Sequence, residues 1–151
     1  MTMYQRERSH DLWGEILPLL REHFTEIAMF ADIALHPDVD RYNQVEERGA
    51  LRCYTARMTG ILVGYAIFFV DFNLHYSDSL QANQDVLFVM QAHRHGRVGF
   101  GLIRFSERAL QLEGVQVVYQ HIKVKTPMTV ALFERMGYEP SDLVLVKRLD
   151  R

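Results

Sequence analysis

The chain has 151 residues, 48% of them hydrophobic and 24% charged, enough apolar material for a domain-sized core without metal or disulfide support. Its 17 basic and 19 acidic residues leave a formal net charge of -2, which excludes the cationic excess of most nucleic-acid binders. The lone cysteine, Cys53, excludes an internal disulfide and suits a reducing cytoplasm.

The first eight residues are polar and charged and lack the apolar core of a secretory signal. Ser9 or Asp11 can cap a helix starting near Leu12, whose apolar face carries Leu12, Trp13, Ile16, Leu17, Leu20 and Phe24. Pro18 threatens that helix with a kink or a break. Residues 32–47 are acidic, contain Pro37, and read as a loop followed by a short helix. Residues 51–56 form a strand, 58–60 a tight turn, and 61–72 a second strand that is apolar on both faces and therefore central. That apolar run is too short to cross a bilayer. Residues 73–83 are polar and read as an exposed loop, and 86–90 as a third strand.

After a segment rich in Gly and Arg, Val98, Leu102, Phe105, Ala109 and Leu112 step by threes and fours along an amphipathic helix that Gly114 ends. Residues 115–124 read as a strand. Thr126-Pro127 starts another helix that Gly137 closes, and 143–149 supply a last strand. The order implies a mixed α/β layer with helices packed on a sheet. No linker or repeat interrupts it, so a single domain over 1–151 is expected.

The informative segment is Arg94-His95-Gly96-Arg97-Val98-Gly99-Phe100-Gly101, between a strand and a helix. A helix N-terminus offers unpaired N–H groups and partial positive charge to a phosphate, and glycines allow close approach. Arg94 and Arg97 add donors suited to phosphate oxygens. A plain solvent-facing turn fits this segment equally well. A P-loop is excluded because no Gly-Lys-Ser/Thr follows. A dinucleotide fingerprint is excluded because several strands precede the loop and the next strand ends in Lys123 and Lys125.

These residues resemble the GNAT superfamily of acyl-CoA-dependent N-acyltransferases, whose loop reads Arg/Gln-x-x-Gly-x-Gly/Ala with Leu three residues on. Arg94, Val98, Gly99 and Leu102 match; Arg97 stands at the usual first Gly, and Gly96 lies one place earlier. The run 131–139, Ala-Leu-Phe-Glu-Arg-Met-Gly-Tyr-Glu, is similar to the family's closing-helix phrase, and the two signatures together are similar to small bacteriophage-encoded GNAT-like proteins. The resemblance covers roughly residues 86–138. It implies a mostly antiparallel central sheet flanked by helices, and acetyl-CoA as cosubstrate. The pyrophosphate would lie on the loop (Arg94, Gly96, Arg97, Val98, Gly99, Phe100 and Gly101), and the pantetheine arm on the backbone of Leu87 and Val89. Two departures stand out. Phe133 replaces the Tyr that can protonate the leaving thiolate, and Thr126 replaces the usual Asn.

For catalysis the candidates are Tyr119 and His121, which alternate on one strand face with Val117 and Lys123; a structural role fits each equally. Asp85 stands near the family's base position but reads as a solvated strand-start residue, and His75 as an ordinary loop histidine. His93 and His95 lack a completing ligand, so no metal is expected. Cys53 reads as a packed strand residue, Tyr138 as a packing aromatic, and the acidic run of Asp32, Asp38, Asp40, Glu46 and Glu47 as a solvated face. The leading reading is acetyl transfer from acetyl-CoA to a primary amine by direct attack. The competing reading is a non-catalytic acyl-CoA-binding or host-protein-binding module. Nucleic-acid binding through Arg94, Arg97, Arg104 and Arg108 is a weaker third. The expected partners are acetyl-CoA and an amine acceptor, with no nucleic acid and no membrane, and with a homodimer left open. The expected location is the cytoplasm, that of the host if the chain is phage-encoded.

Overall fold

Two long strands organise the chain. β2 (Leu51–Met58) and β3 (Ile61–Phe72) are joined by Thr59 and Gly60, both at positive φ (49° and 82°), the backbone a two-residue hairpin turn needs to match strand twist. The computed structural model describes residues 1–151, which fold as two units, Met1–His121 and Ile122–Arg151.

In the first unit β1 (Thr2–Glu7), β4 (Leu80–Val89) and β5 (Val117–Tyr119) complete a sheet in the order β1-β2-β3-β4-β5. All neighbours are antiparallel except β4 and β5, which run parallel. This is the mixed, mostly antiparallel sheet expected from the sequence. Alternation along β3 sends Tyr65 and Ile67 to one face and Ala66, Phe68 and Val70 to the other, so the strand is buried on both sides. The helices α1 (Trp13–Ile27) and α2 (Val39–Glu47) cover the first face with Trp13, Ile16, Leu20, Val39 and Tyr42. The helix α3 (Val98–Leu112) covers the second with Val98, Leu102 and Leu110. Burying each such aliphatic side chain contributes about 1.5–3 kcal/mol.

Several boundaries differ from the sequence expectation. α1 is capped by neither Ser9 nor Asp11; those residues form a 3-10 turn and Leu12 is the cap position. Ser9 is tied instead to α2, its N–H and hydroxyl donating to Glu46 at 2.8 and 3.1 Å. The helix also runs through Pro18 without a break. The polar strand β1 was not expected; it is an edge strand that packs the half-buried Tyr4 against Phe105 (ring centroids 6.2 Å apart) and keeps Met3 and Arg6 exposed. β4 begins six residues before the expected Val86, inside the segment read as an exposed loop. Its Gln81 is buried because Asn73 donates to it at 2.9 Å and it donates to Ser79 at 3.1 Å. Asp85 therefore sits within β4, not at its start. The expected strand over 115–124 is only three residues long.

In the second unit α4 (Pro127–Arg135) has Pro at its start and ends before Gly137, whose φ of 95° favours glycine. Thr126 makes no side-chain cap; its hydroxyl donates to the Lys123 carbonyl. The strand expected over 143–149 is absent. Leu143, Val144, Leu145 and Leu149 are each more than three-quarters exposed, and no strand pairs with them. Strand propensity without a partner to pair and pack against does not make a strand.

Candidate active site

β4 leads through a 3-10 turn (Gln91–His93) and the turn residues 94–97 into α3, whose cap position is Arg97. The first intrahelical donor is the Gly101 N–H, bonded to the Arg97 carbonyl at 2.8 Å. The amides of Val98, Gly99 and Phe100 precede it and have no partner within the helix. No atom lies within 4 Å of where a Cβ on Gly96 would stand, and a Cβ on Gly99 would meet only Val89 Cγ2 at 3.7 Å. These two glycines are therefore not required by packing, and they leave the backbone approachable. Gly101 differs. Its Cβ would fall 2.1 Å from the Tyr4 hydroxyl, so this glycine serves the seating of α3 on β1.

The two loop arginines are used differently. Arg94 forms a bidentate pair with Glu26 of α1 (2.7 and 2.9 Å), donates from Nε to the Val89 carbonyl at 2.7 Å, and lies 5.5 Å from the centroid of the Phe88 ring. It staples the loop to α1 and β4. Arg97 is exposed at the helix start and is the loop arginine positioned to meet an anion there.

β5 pairs with β4 only at Gln81, Ala82 and Asn83. Beyond that point the chain is held by the buried Gln84 side chain, which accepts the His121 N–H at 2.7 Å. The Met90 N–H donates to the Val63 carbonyl on β3. Strand alternation then turns the N–H and C=O of Val89 and Leu87 the other way, onto the edge that β5 does not cover. These are the two residues expected to offer backbone to a pantetheine arm. The Val89 carbonyl is already taken by Arg94; its N–H and both Leu87 groups face that edge.

Asp85 is the extra residue of a β-bulge: Val86 pairs with Ile67 and Gln84 with Phe68, leaving Asp85 between them unpaired. The bulge aims Asp85 toward α2, where Tyr42 donates to its Oδ2 at 2.5 Å. Asp85 keeps an exposed surface, yet its carboxyl is crowded by neighbours. Burial pushes it above the usual carboxylate range, against the opposing influence of the Tyr42 hydrogen bond and the nearby His121. The Tyr42 hydroxyl is raised too, by burial and then by Asp85, so it stays protonated as a donor.

Tyr119 pairs with Asn83, which pairs with Phe69, so the three form one row across the sheet. Their neighbours Val118, Ala82 and Phe68 face α3, which puts the row on the α2 side, where Phe69 stacks on Tyr42 at 6.2 Å. His121 lies beyond the end of β5 but close enough to Asp85 to affect its charge. Tyr42, Phe69 and Asn83 escaped the sequence reading, since nothing local links Tyr42 to a residue 43 positions away. Several of the remaining candidates have structural roles. The backbone N–H of His75 is held by the Asn73 side chain at 2.8 Å. Cys53 is buried, and burial pushes its thiol up to about 12, where it is no nucleophile at neutral pH. Asp38 accepts the Arg41 N–H at the start of α2, and Glu46 anchors Ser9.

The sequence profile of the acetyltransferase (GNAT) family matches residues 13–138. The chain belongs to that family. Its fold is similar to a ribosomal-protein-alanine N-acetyltransferase from Brucella melitensis (TM-score 0.75, 17% identity, 99% of each chain covered). It is also similar to an aminoglycoside acetyltransferase from an uncultured soil metagenomic sample in complex with sisomicin (0.77, 16%, 98% of this chain and 96% of that one). A third similar structure is the aminoglycoside N-acetyltransferase AAC(6')-Iy in complex with CoA (0.74, 15%, 98% and 94%). No curated protein matches the sequence.

The acetyltransferase is thus an enzyme that uses acetyl-CoA as cosubstrate. Its residues fit that group: amides without helical partners, two glycines that packing does not demand, and one exposed arginine meet at the start of α3. No helix is long and apolar enough to cross a membrane. Phe133, at the position where a donor tyrosine is common, is buried and meets Tyr138 edge-on at 5.0 Å.

Proposed function

We propose that this acetyltransferase moves an acetyl group onto a primary amine by direct attack, with no covalent enzyme intermediate. The observation that carries this reading is the β4 edge at Leu87 and Val89, left uncovered by β5 beside the first turn of α3. The amides of residues 96–100 and the Arg97 guanidinium bind the pyrophosphate by hydrogen bonds and charge. The outward backbone of Leu87 and the Val89 N–H bind the pantetheine arm. Bound acetyl-CoA supplies the activated acyl group, so that the new C–N bond forms as the C–S bond breaks and CoA leaves as the thiol.

Amine attack requires loss of a proton, and a carboxyl raised above its usual range is a better base than an ordinary one. Asp85 is placed to accept that proton, and it carries the negative charge that draws an ammonium group to the row formed by Phe69, Asn83 and Tyr119. Tyr119 and His121 stand beside it as the candidates for returning a proton to sulfur. The acceptor is a cationic primary amine working in the cytoplasm, and similar folds act on both peptide-borne and aminoglycoside amines.

The test is release of free CoA thiol from acetyl-CoA with two acceptor probes, sisomicin and an alanine-starting peptide. Thiol release that depends on an amine is expected, with Tyr119→Phe or His121→Ala lowering kcat while acetyl-CoA affinity holds. General acid–base groups contribute roughly 10²–10⁴-fold. Full activity in both variants from about pH 6 to 9 removes these two residues from the reaction. No binding of CoA at millimolar ligand by calorimetry removes the whole reading.

A further inference from the structure

The bulge at Asp85 raises a physical problem. A residue skipped by the strand ladder has no pairing partner to fix its direction, yet a proton acceptor must hold its carboxylate within hydrogen-bond reach of the amine. Tyr42 is itself rigidly held. Its ring packs against Trp13 (centroids 5.0 Å apart, 51°) and Phe69 (6.2 Å, 14°). The Trp13 indole donates to Asn43, the next residue along α2, at 2.9 Å, which joins α1 to α2 beside the tyrosine. At the far end of α2, Glu46 takes the N–H groups of Ser9 and His10 at 2.8 and 3.2 Å. The hydroxyl on Oδ2 of Asp85 is thus a fixed point attached to two anchored helices.

Resting on the reading of Asp85 as proton acceptor, we propose that Tyr42 is its positioning residue, holding the bulged carboxylate by Oδ2 so that Oδ1 faces the incoming amine. A hydrogen bond donated to the charged form also favours that form. Tyr42 therefore opposes the burial that pushes the Asp85 carboxyl up. The other titratable groups around it are His121, which acts in the same direction as Tyr42, and the Tyr65 hydroxyl on β3. Tyr65 is fully buried with no hydrogen-bond partner, and it is raised by burial and then by Cys53, Tyr42 and Asp85.

The experiment follows the side-chain carboxyl carbon of Asp85 by NMR through a pH titration of the full chain, its signal assigned by loss in Asp85→Asn. In Tyr42→Phe the ring contacts remain, so the amide spectrum away from the bulge should be unchanged. The Asp85 midpoint should move up, and the acid limb of kcat/KM should move up with it while acetyl-CoA affinity stays the same. A purely structural Tyr42 would lower Tm and leave the midpoint where it was, and that result overturns the proposal. The failure of the underlying reading looks different. If Asp85→Asn transfers acetyl to sisomicin or to the alanine-starting peptide at the wild-type rate, Asp85 is not the acceptor of the proton and the role of Tyr42 falls with it. If Asp85→Asn abolishes transfer but the midpoint is unmoved in Tyr42→Phe, the positioning role alone is wrong.

Discussion

The Tyr4 hydroxyl occupies the space that a side chain at Gly101 would need: a Cβ there would lie 2.1 Å from the oxygen and 2.4 Å from the ring carbon bearing it. The same hydroxyl points at the carbonyls of Arg97 and Val98, at 3.4 and 3.3 Å. β1 and the first turn of α3 are therefore fitted to one another at the helix end proposed to meet the cosubstrate. Gly101→Ala should force Tyr4 aside and cost about 1–3 kcal/mol, as overpacking does, or roughly 2–4 °C of Tm per kcal/mol in a chain of this size. In a Tyr4→Ala background the same change should be neutral or stabilising, because alanine is the better helix former. Additive losses in the two variants would show that the contact does not matter.

Gly99 invites the opposite experiment. A Cβ there makes only an ordinary contact with Val89, and a negative side chain in the first turn of a helix is favoured by the helix dipole. Gly99→Glu should therefore fold normally, with unchanged or higher Tm. Charge and bulk placed at the free amides should weaken CoA binding about tenfold or more, since a hydrogen bond to a charged group contributes about 1.5–3 kcal/mol. Unchanged affinity by calorimetry, with native circular dichroism, would move the pyrophosphate elsewhere.

This pair of glycines also shows how much the sequence could say. The spacing of Val98, Leu102 and Phe105 made α3 legible, and the Gly and Arg content marked its start, because both are local signals. Which glycine serves packing and which leaves the backbone open depends on Tyr4, some 100 positions earlier, and no local pattern encodes that. Arg94 matched the expected motif, yet its guanidinium pairs with Glu26 on α1, a partner that only the tertiary fold provides. Asp85 was misplaced for a related reason. The polar run before Val86 resembles a loop because its buried glutamines are satisfied by partners that only the fold provides, Gln81 by the side chains of Asn73 and Ser79 and Gln84 by the backbone N–H of His121. The strand expected at 143–149 failed in reverse, since a sequence can supply propensity without a partner strand.

Acid should weaken the fold at the junction of β1, β2 and α1. Burial alone would raise the Glu7 carboxyl, but hydrogen bonds from Arg57, Thr55 and Gln5 outweigh it and hold the group down at about 2, against 4.5 for an ordinary glutamate. Arg57 extends the network to Glu15 with an N–O distance of 2.9 Å. A folded value below the unfolded one means that the stabilisation is present above pH 4.5 and is lost as pH falls toward 2. The full loss is of the order of 3 kcal/mol, with 1.36 kcal/mol per pKa unit. Glu7→Gln should lower Tm at pH 7 and flatten the fall in stability between about pH 4.5 and 2. An unchanged acid slope in the variant would assign acid sensitivity to other carboxylates.

The buried Phe133 allows a prediction about the missing hydroxyl. Its ring is 3% exposed and meets Tyr138 edge-on, so Phe133→Tyr would bring a hydroxyl into a site packed for a hydrocarbon. A buried hydroxyl without a partner costs about 1–3 kcal/mol. A thiolate leaving group needs only limited help to take up its proton, since an ordinary cysteine thiol titrates at about 8.5, so little catalytic gain is available to offset that cost. The expected outcome is a lower Tm, with kcat for acetyl transfer unchanged or reduced. The combination that would defeat this expectation is a raised kcat at unchanged Tm. It would mean that the new hydroxyl finds a partner and serves the leaving group, and that the chain keeps the geometry of a tyrosine donor with only its oxygen removed.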